Sequence, residues 1–395
     1  MKIKVINILF PCITLLLIVT SFYSCKTEPT DLGLNFIDPD DTTATFVLDS
    51  QADTMRISNT NYKKFINTFG SDFIMIGKYN GYETRSFVEF FNIPSDYDSA
   101  TVLSANVVMK YNKYAFQDSN GTVGFNIYKL NKNFTLGSIT WDSVSTSDID
   151  NVSQGNYTGN PTDTAAFNIT LNNTLIKDWL EYAADTNYSV KNNGIAILPD
   201  NSSTTIKGFN SSFINNNPFK IRATVLKNGD TTTLEFIQSN SVWFCNAPSS
   251  ILSPDMITLQ NGVAYKNLMT FDLSKLPSNV IINEATVTLT LNSGSSFISN
   301  NPDKRLRIFM AGDTVNYRDT LSSILSVQPN GNSYSFTVNG FFQFWNNKTY
   351  QNLGLIITSV NEPANLDKFV FYGSNFPDVT LVPRLKIRYT PRISQ

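Results

Sequence analysis

Apolar and polar residues alternate along much of this chain, which is the pattern of strands that pack on one face and meet water on the other. The alternation is regular in five segments that are rich in the β-branched and aromatic residues favoured by strands. These segments are residues 87–91, 105–111, 124–130, 285–291 and 305–309. Clusters of Asn, Ser, Gly and Pro separate them, as turns require. The pattern predicts an all-β fold.

Helical spacing of apolar residues occurs in two short segments, residues 175–182 and 338–345. Each contains one Trp among apolar neighbours, and we expect both Trp179 and Trp345 to pack in a core. The same order of strand-like segments follows each helix. After the first come residues 193–198, 206–213 and 218–225, and after the second come residues 353–358, 369–376 and 383–390.

This shared order predicts a duplication. Upstream of the helices, Phe90 and Phe271 each precede a turn marked by Pro, so we expect the two rings at equivalent inward positions. We predict two tandem β-sandwich modules of jelly-roll type, each with one short helix. The first module is predicted to span residues 45–227 and the second residues 232–391, with the turn at 227–230 between them.

The first 25 residues have the pattern of an export signal. Lys2 and Lys4 precede an apolar run at residues 13–20, which is too short to span a bilayer comfortably, and Cys25 follows shortly after it. This segment resembles the lipobox of bacterial lipoproteins. The resemblance implies cleavage before Cys25 and a diacylglycerol on its sulfur. An uncleaved N-terminal membrane anchor is the alternative.

Residues 26–44 are polar, acidic and rich in turn formers, which predicts a flexible tether between the membrane and the folded body. The acidic stretch after Cys25 resembles the surface-export signal of Bacteroidota-type lipoproteins, and residues 28–35 resemble the start of a lipoprotein family from the same group. These resemblances imply a lipid-anchored protein of the outer membrane, exposed at the cell surface.

Composition removes several classes of function. The formal net charge is −2 and no basic cluster occurs, so we expect no nucleic-acid partner. The chain contains no His, which excludes Ser-His-Asp and Cys-His catalysis and any zinc site that uses His. Hydrolysis by carboxylates alone remains open. We expect a protein that is not an enzyme and has no cofactor.

Each of the three cysteines is predicted to have a different environment. Cys12 lies in the signal, Cys25 is the predicted lipid acceptor, and Cys245 is left alone, so the mature chain has no intramolecular disulfide. Cys245 follows Trp243 and Phe244, which predicts a buried small apolar residue rather than a nucleophile.

Short motifs in both modules resemble the DNRLRE domain. The second module carries them best, with Phe271 opening a Phe-Asp-Leu-Ser-Lys-Leu-Pro turn that Ala285 follows at the start of an alternating strand. The first module has Asn92 in place of the Asp and a longer turn, and its Thr140-Trp141 resembles a later strand of the family. The resemblance implies a jelly-roll sandwich of secreted and surface proteins, related to carbohydrate-binding modules, and it brings no catalytic residues.

Candidate binding residues are few. Tyr79 and Tyr82, which flank an Asn-Gly pair, are candidates for stacking on sugar rings, although the same motif is typical of an ordinary hairpin. Trp141 is predicted to lie in the core. Asp and Asn clusters at residues 96–98 and 300–303 have the oxygen donors that a structural Ca²⁺ needs, but no complete EF-hand loop occurs. No other metal site is predicted.

These observations predict a non-catalytic surface lipoprotein that is anchored to the membrane by lipid and binds an extracellular ligand, foremost a polysaccharide. The alternative is a structural or assembly protein of the cell envelope that binds other proteins. A third and weaker hypothesis is an enzyme that uses carboxylates only.

Overall fold

A computed structural model describes residues 44–53, 55–64, 66–211, 219–248, 252–263, 265–299, 303–312 and 325–392. The predicted signal, Cys25 and all but the last residue of the predicted tether lie outside these ranges. Within them the chain forms 21 strands and two α-helices, and the predicted all-β sandwich fold is confirmed.

In chain order, the strands and helices are β1 (Phe46–Asp49), β2 (Ile57–Lys63), β3 (Phe73–Tyr79), β4 (Tyr82–Phe90), β5 (Thr101–Phe116), β6 (Val123–Leu130), β7 (Ile149–Gly159), β8 (Ala166–Thr170), α1 (Asn173–Ala184), β9 (Ile195–Pro199), β10 (Ile206–Asn210), β11 (Lys220–Lys227), β12 (Asp230–Asn246), β13 (Met256–Gln260), β14 (Tyr265–Phe271), β15 (Val280–Thr290), β16 (Leu306–Met310), β17 (Leu325–Val327), β18 (Ser333–Thr337), α2 (Asn339–Asn346), β19 (Leu355–Ser359), β20 (Lys368–Tyr372) and β21 (Arg384–Pro391).

Strands β3 to β12 form the first sandwich. They make one continuous ten-stranded sheet that folds over a core, with the order β12-β11-β5-β10-β3-β4-β9-β6-β7 and β8 paired to β5. The two longest strands connect its layers. The first part of β5 pairs with β11 and β8, and its last part pairs with β10. Likewise β12 pairs first with β11 and then, after a bulge near Ser239, with β4.

Strands β13 to β21 form the second sandwich together with β1 and β2. Its smaller sheet has the order β1-β21-β15-β18. Its larger sheet has the order β17-β16-β19-β14-β13-β20, and β2 pairs with β14 along the length of that strand. Apolar residues of the two sheets meet in one core, to which Met55 and Ile57 of the N-terminal segment belong.

The first strands of the two halves are therefore exchanged. Strands β1 and β2 open the first half of the chain but pair with β21 and β14 of the second sandwich. Strand β12 opens the second half but pairs with β11 and β4 of the first sandwich. This pairing cuts across the predicted modules 45–227 and 232–391. Residues 227–230 are a hairpin turn inside one sheet, with positive φ at Asn228 and Gly229, and not a connection between sandwiches.

Both helices cover one end of their sandwich in the same way. The first residue of each helix donates a side-chain amide hydrogen bond to a backbone carbonyl of a long strand in the same sandwich. Asn173 donates to Val102 O of β5 at 3.0 Å, and Asn339 donates to Asn283 O of β15 at 3.1 Å. The helix indoles point into the cores, as predicted, because Trp179 is fully buried and Trp345 is 6% exposed.

A third apolar cluster joins the two sandwiches. Met75, Tyr82 and Phe116 of the first contact Val263 and Leu366 of the second within it. Phe116 also meets Phe297 edge-on, with ring centroids 5.0 Å apart. Polar contacts reinforce the junction, since the Tyr82 hydroxyl donates to Gln260 Oε1 at 3.2 Å. We therefore describe the junction as a packed interface.

Candidate functional site

An open cleft lies on the outer face of the first sandwich. Strand alternation places Val88 and Phe90 of β4 in the core and turns Glu83 and Arg85 outward. The cleft has a volume of about 500 Å³. Its side chains are mostly polar and come from β3, β4, β6, β7 and the segment after β9; they include Lys78, Glu83, Arg85, Asn126, Tyr128, Asp150 and Asp200.

The loop between β6 and β7 determines how much of this face is open. Its apolar residues, among them Phe134, Leu136 and Ile139, pack over Phe87 and Phe244 of the sheet. The loop thereby covers the apolar part of the outer face, while the polar part beside it stays open. The cleft is the uncovered part.

Most charged side chains of the cleft are paired, while Asp200 accepts hydrogen bonds from Ser202. Lys78 Nζ lies 3.4 Å from Glu83 Oε2, and Arg85 Nε lies 3.9 Å from Glu83 Oε1. Lys129 Nζ lies 3.2 Å from Asp150 Oδ2 at the far side. Burial acts to raise the pKa of Asp150, but hydrogen bonds from the Val152 backbone and from Lys129 outweigh it, so the pKa lies below its usual value.

Trp141 forms a wall beside the cleft. The guanidinium carbon of Arg85 lies 3.8 Å from the centroid of its ring, which is a cation–π contact. Trp141 packs at the margin of the loop cluster and is half-buried. The expectation of a core position is therefore only partly met, because this part of the loop lies at the edge of the covered area.

The two predicted ligand tyrosines are buried to different degrees. Tyr79 and Tyr82 face each other across the β3–β4 hairpin, so the hairpin interpretation of the motif is confirmed. Tyr82 is 6% exposed and not exposed as expected, because its ring packs against Phe116 in the junction. Burial raises the pKa of Tyr82 to about 12. Tyr79 is half-buried, and both tyrosines line a neighbouring cavity of about 350 Å³, so their ligand role stays a prediction.

Cys245 is a buried free thiol, as predicted. Desolvation raises the pKa of the thiol far above its ordinary value, which leaves it protonated at neutral pH. The side chain belongs to the apolar cluster at the junction.

The proposed calcium ligands have other partners where the structure describes them. Asp98 Oδ1 accepts from Lys227 Nζ at 2.9 Å, and Asp303 pairs with Arg305. Residues 300–302 lie outside the described ranges. Among the described residues, no group of three or more Asp, Glu or Cys side chains could hold a metal ion.

Neither helix of the described part of the chain is long and apolar enough to cross a membrane. No family model and no curated protein matches the chain. The resemblances to bacterial lipoproteins and to the DNRLRE domain remain predictions.

Sequence analysis did not identify the cleft residues. Glu83 and Arg85 occupy the polar positions of an alternating strand, and such residues are typical of any wet sheet face. Tyr128, Asp150 and Asp200 come from three other segments, and only the fold brings them together.

Proposed function

We propose that this protein is a non-catalytic surface lipoprotein that binds an extracellular polysaccharide in the cleft of its first sandwich. The observation that carries the proposal is an open cleft of about 500 Å³ with fixed polar side chains and an aromatic residue, Tyr128, in its lining. Sugar rings offer hydroxyl groups to polar partners and an apolar face to aromatic rings, and this lining supplies both.

Compensated charge favours a neutral chain as the ligand. Glu83 lies next to both Lys78 and Arg85, and Asp150 is paired with Lys129. A strongly charged ligand would have to separate these pairs, whereas a neutral hydroxyl can hydrogen-bond to them in place.

The same pairs argue against a carboxylate enzyme. Glycoside hydrolysis needs one carboxyl with a raised pKa as the general acid. In the cleft, hydrogen bonds hold the pKa of Asp150 below its usual value. A lowered pKa favours the ionised form, which is the wrong form for protonating a leaving group.

The position of β1 shows where the tether of the proposed anchor joins the folded body. Phe46 opens β1 opposite Tyr389, which itself lies opposite Ile282 near the start of β15. The other end of β15 leads through Leu291 to Phe297 at the junction. With about 3.3 Å per residue, the tether enters the second sandwich roughly 30 Å from the junction. Anchoring at Cys25 would therefore hold the cleft away from the membrane.

Affinity electrophoresis and a glycan array with the full chain test the ligand. We expect retention by a neutral polysaccharide and a loss of roughly twofold to tenfold in affinity for Tyr128→Ala. Tyr350→Ala is the matched control, because Tyr350 is 36% exposed and lies in the second sandwich. Binding to no glycan, with one envelope protein recovered reproducibly, would favour the assembly role instead.

One observation favours that second candidate. Strand β1 is the outermost strand of the smaller sheet, and Phe46 and Val47 on it are each 47% exposed. Open apolar edge strands are sites at which other chains add strands. An envelope protein that binds there would not need the cleft.

Cys25→Ala tests the anchor. Several acyl chains make membrane attachment effectively permanent, since each buried methylene contributes about 0.8 kcal/mol. We expect the variant to leave the membrane fraction on a carbonate wash if its signal is still cleaved. Cleaved variant protein that stays with the membrane would rule out lipidation at Cys25.

A further inference from the structure

Another cavity, different from the one that Tyr79 lines, lies next to the cleft at the junction of the two sandwiches. Its volume is about 270 Å³. Trp141 and Trp243 of the first sandwich, Val263 of the second, and Lys63 and Ile66 of the segment that crosses between them contribute to its walls. We refer to it as the junction pocket. It exists only because both sandwiches and the crossing segment meet there.

The Arg85–Trp141 pair is a shared wall between the two cavities. Arg85 lines the cleft, Trp141 lines the junction pocket, and the two side chains stack at 3.8 Å. The contact with Arg85 fixes the plane of the indole on the cleft side. The two cavities therefore lie on either side of one stacked pair.

Asp142 and Lys63 provide the polar groups of the pocket, and both residues are exposed. Trp243 contributes an apolar wall, because its side chain is fully buried. The crossing segment holds the backbone of Trp243, since the Trp243 N–H donates to Thr68 Oγ1 at 2.9 Å.

We propose that the junction pocket takes one sugar ring of the polysaccharide whose neighbouring rings lie in the cleft. The inference rests on the proposed function and adds a second subsite to it. Trp141 supplies the stacking surface. Asp142 and Lys63 line the same pocket and are partners for the hydroxyls of the ring.

The pocket is small but large enough for a sugar ring. Its volume of about 270 Å³ lies just below the range of roughly 300–1,000 Å³ that is typical of sites for drug-sized ligands.

Binding to maltohexaose, cellohexaose, xylohexaose and mannohexaose, measured by calorimetry with the full chain, tests the proposal. Trp141→Ala should weaken binding of the recognised hexasaccharide about twofold to tenfold, and Trp141→Phe should restore part of the loss. Tyr350→Ala is again the matched control. The corresponding monosaccharide should bind far more weakly, because it cannot occupy both subsites.

A second variant tests the pocket without removing a ring from the loop cluster. Asp142→Asn should weaken binding of the recognised hexasaccharide severalfold, because Asp142 lines the pocket. This variant keeps the test valid if Trp141→Ala fails to fold.

The outcomes separate the two proposals. If a hexasaccharide binds, Tyr128→Ala weakens its binding, and neither Trp141→Ala nor Asp142→Asn does so, the junction pocket is not a subsite and the cleft proposal stands. Binding of an aromatic compound such as indole to the pocket, with no sugar binding there, would also overturn the inference. If no hexasaccharide or polysaccharide binds, both proposals fail.

Discussion

The ring centroid of Phe90 lies 5.8 Å from that of Trp179, and the two planes are inclined by 40°. In the second sandwich, Phe271 and Trp345 repeat this arrangement at 6.1 Å and 35°. The carbonyl oxygen of each Phe also accepts from an Asn side chain that precedes the next strand, Asn192 at 2.7 Å and Asn352 at 2.8 Å. The two cores share one arrangement, in which the Phe that ends β4 or β14 packs against the Trp of the helix in the same sandwich.

Phe90→Ala should lower the free energy of unfolding by about 3–5 kcal/mol, because it opens a cavity under α1. The neighbouring Phe91→Ala is the matched control, since Phe91 is 56% exposed and its truncation should change stability by no more than about 0.5 kcal/mol. Urea denaturation of the two variants measures the difference. Equal effects would mean that the Phe90–Trp179 contact does not stabilise the core.

Ile57→Ala should destabilise the second sandwich, although residue 57 lies in the first half of the chain. Ile57 is 9% exposed, faces Phe271 across β2 and β14, and belongs to the core of the second sandwich. We expect a loss of about 2–5 kcal/mol, and hydrogen exchange should accelerate in β13–β21.

The exposed neighbour Ser58 supplies the control, and Ser58→Ala should leave exchange unchanged. Faster exchange in β3–β11 in place of β13–β21 would show that β2 stabilises the first sandwich, contrary to the pairing.

Gly354→Ala should destabilise the fold by more than its backbone conformation alone explains. Gly354 has φ +95°, and a Cβ there would lie 2.3 Å from the carbonyl oxygen of Met269. Gly331→Ala isolates the conformational cost of about 1–2 kcal/mol, because Gly331 has φ +60° and no atom within 4 Å of its Cβ position. Thermal unfolding of both variants gives the comparison, and equal losses would contradict the close approach.

Asp367→Asn should change how stability depends on pH. Asp367 is 1% exposed at the junction, and burial raises its pKa despite hydrogen bonds from Ser299 and Tyr114. A raised pKa means that the folded state holds the proton more tightly, so stability falls as pH rises from the unfolded value near 3.9 through the folded value. The variant should not show this fall, and the difference in unfolding free energy between variant and wild type should shift in favour of the variant between pH 4 and 7.

Asp378→Asn should show the opposite sign. Hydrogen bonds from Thr380 lower the pKa of Asp378, so this group contributes stability above its unfolded pKa and loses it as pH falls through the folded value. Denaturation curves of the two variants across pH 2–7 give both slopes. Parallel slopes for D367N and D378N would contradict the opposite shifts.

Local patterns in the sequence were sufficient to predict several strands and both helices. Alternation predicted β4, β5, β6, β15 and β16, and helical spacing predicted α1 and α2 to within two residues at each end. The buried positions of Trp179, Trp345 and Cys245 followed from their apolar neighbours. These features depend on side chains that are close in sequence, and a single sequence shows them directly.

Pairing between distant strands was not predictable in the same way. Main-chain hydrogen bonds can join any two strands of suitable length and direction. A repeated order of segments therefore does not show with which sandwich the first strand of each half pairs. Only the tertiary structure placed β2 beside β14 and β12 beside β4. The same contact between sandwiches buried Tyr82, which the hairpin motif alone would leave at the surface.

Residue order and composition thus determined by themselves that this chain forms an all-β fold of two similar halves, without the histidine that most catalytic sites use. The tertiary structure decided which half each first strand completes, which tyrosine stays accessible, and where Tyr128, Arg85 and Trp141 meet. The physical reason is that secondary structure follows from neighbours in sequence, whereas a cleft is formed by side chains from segments that only long-range packing brings together.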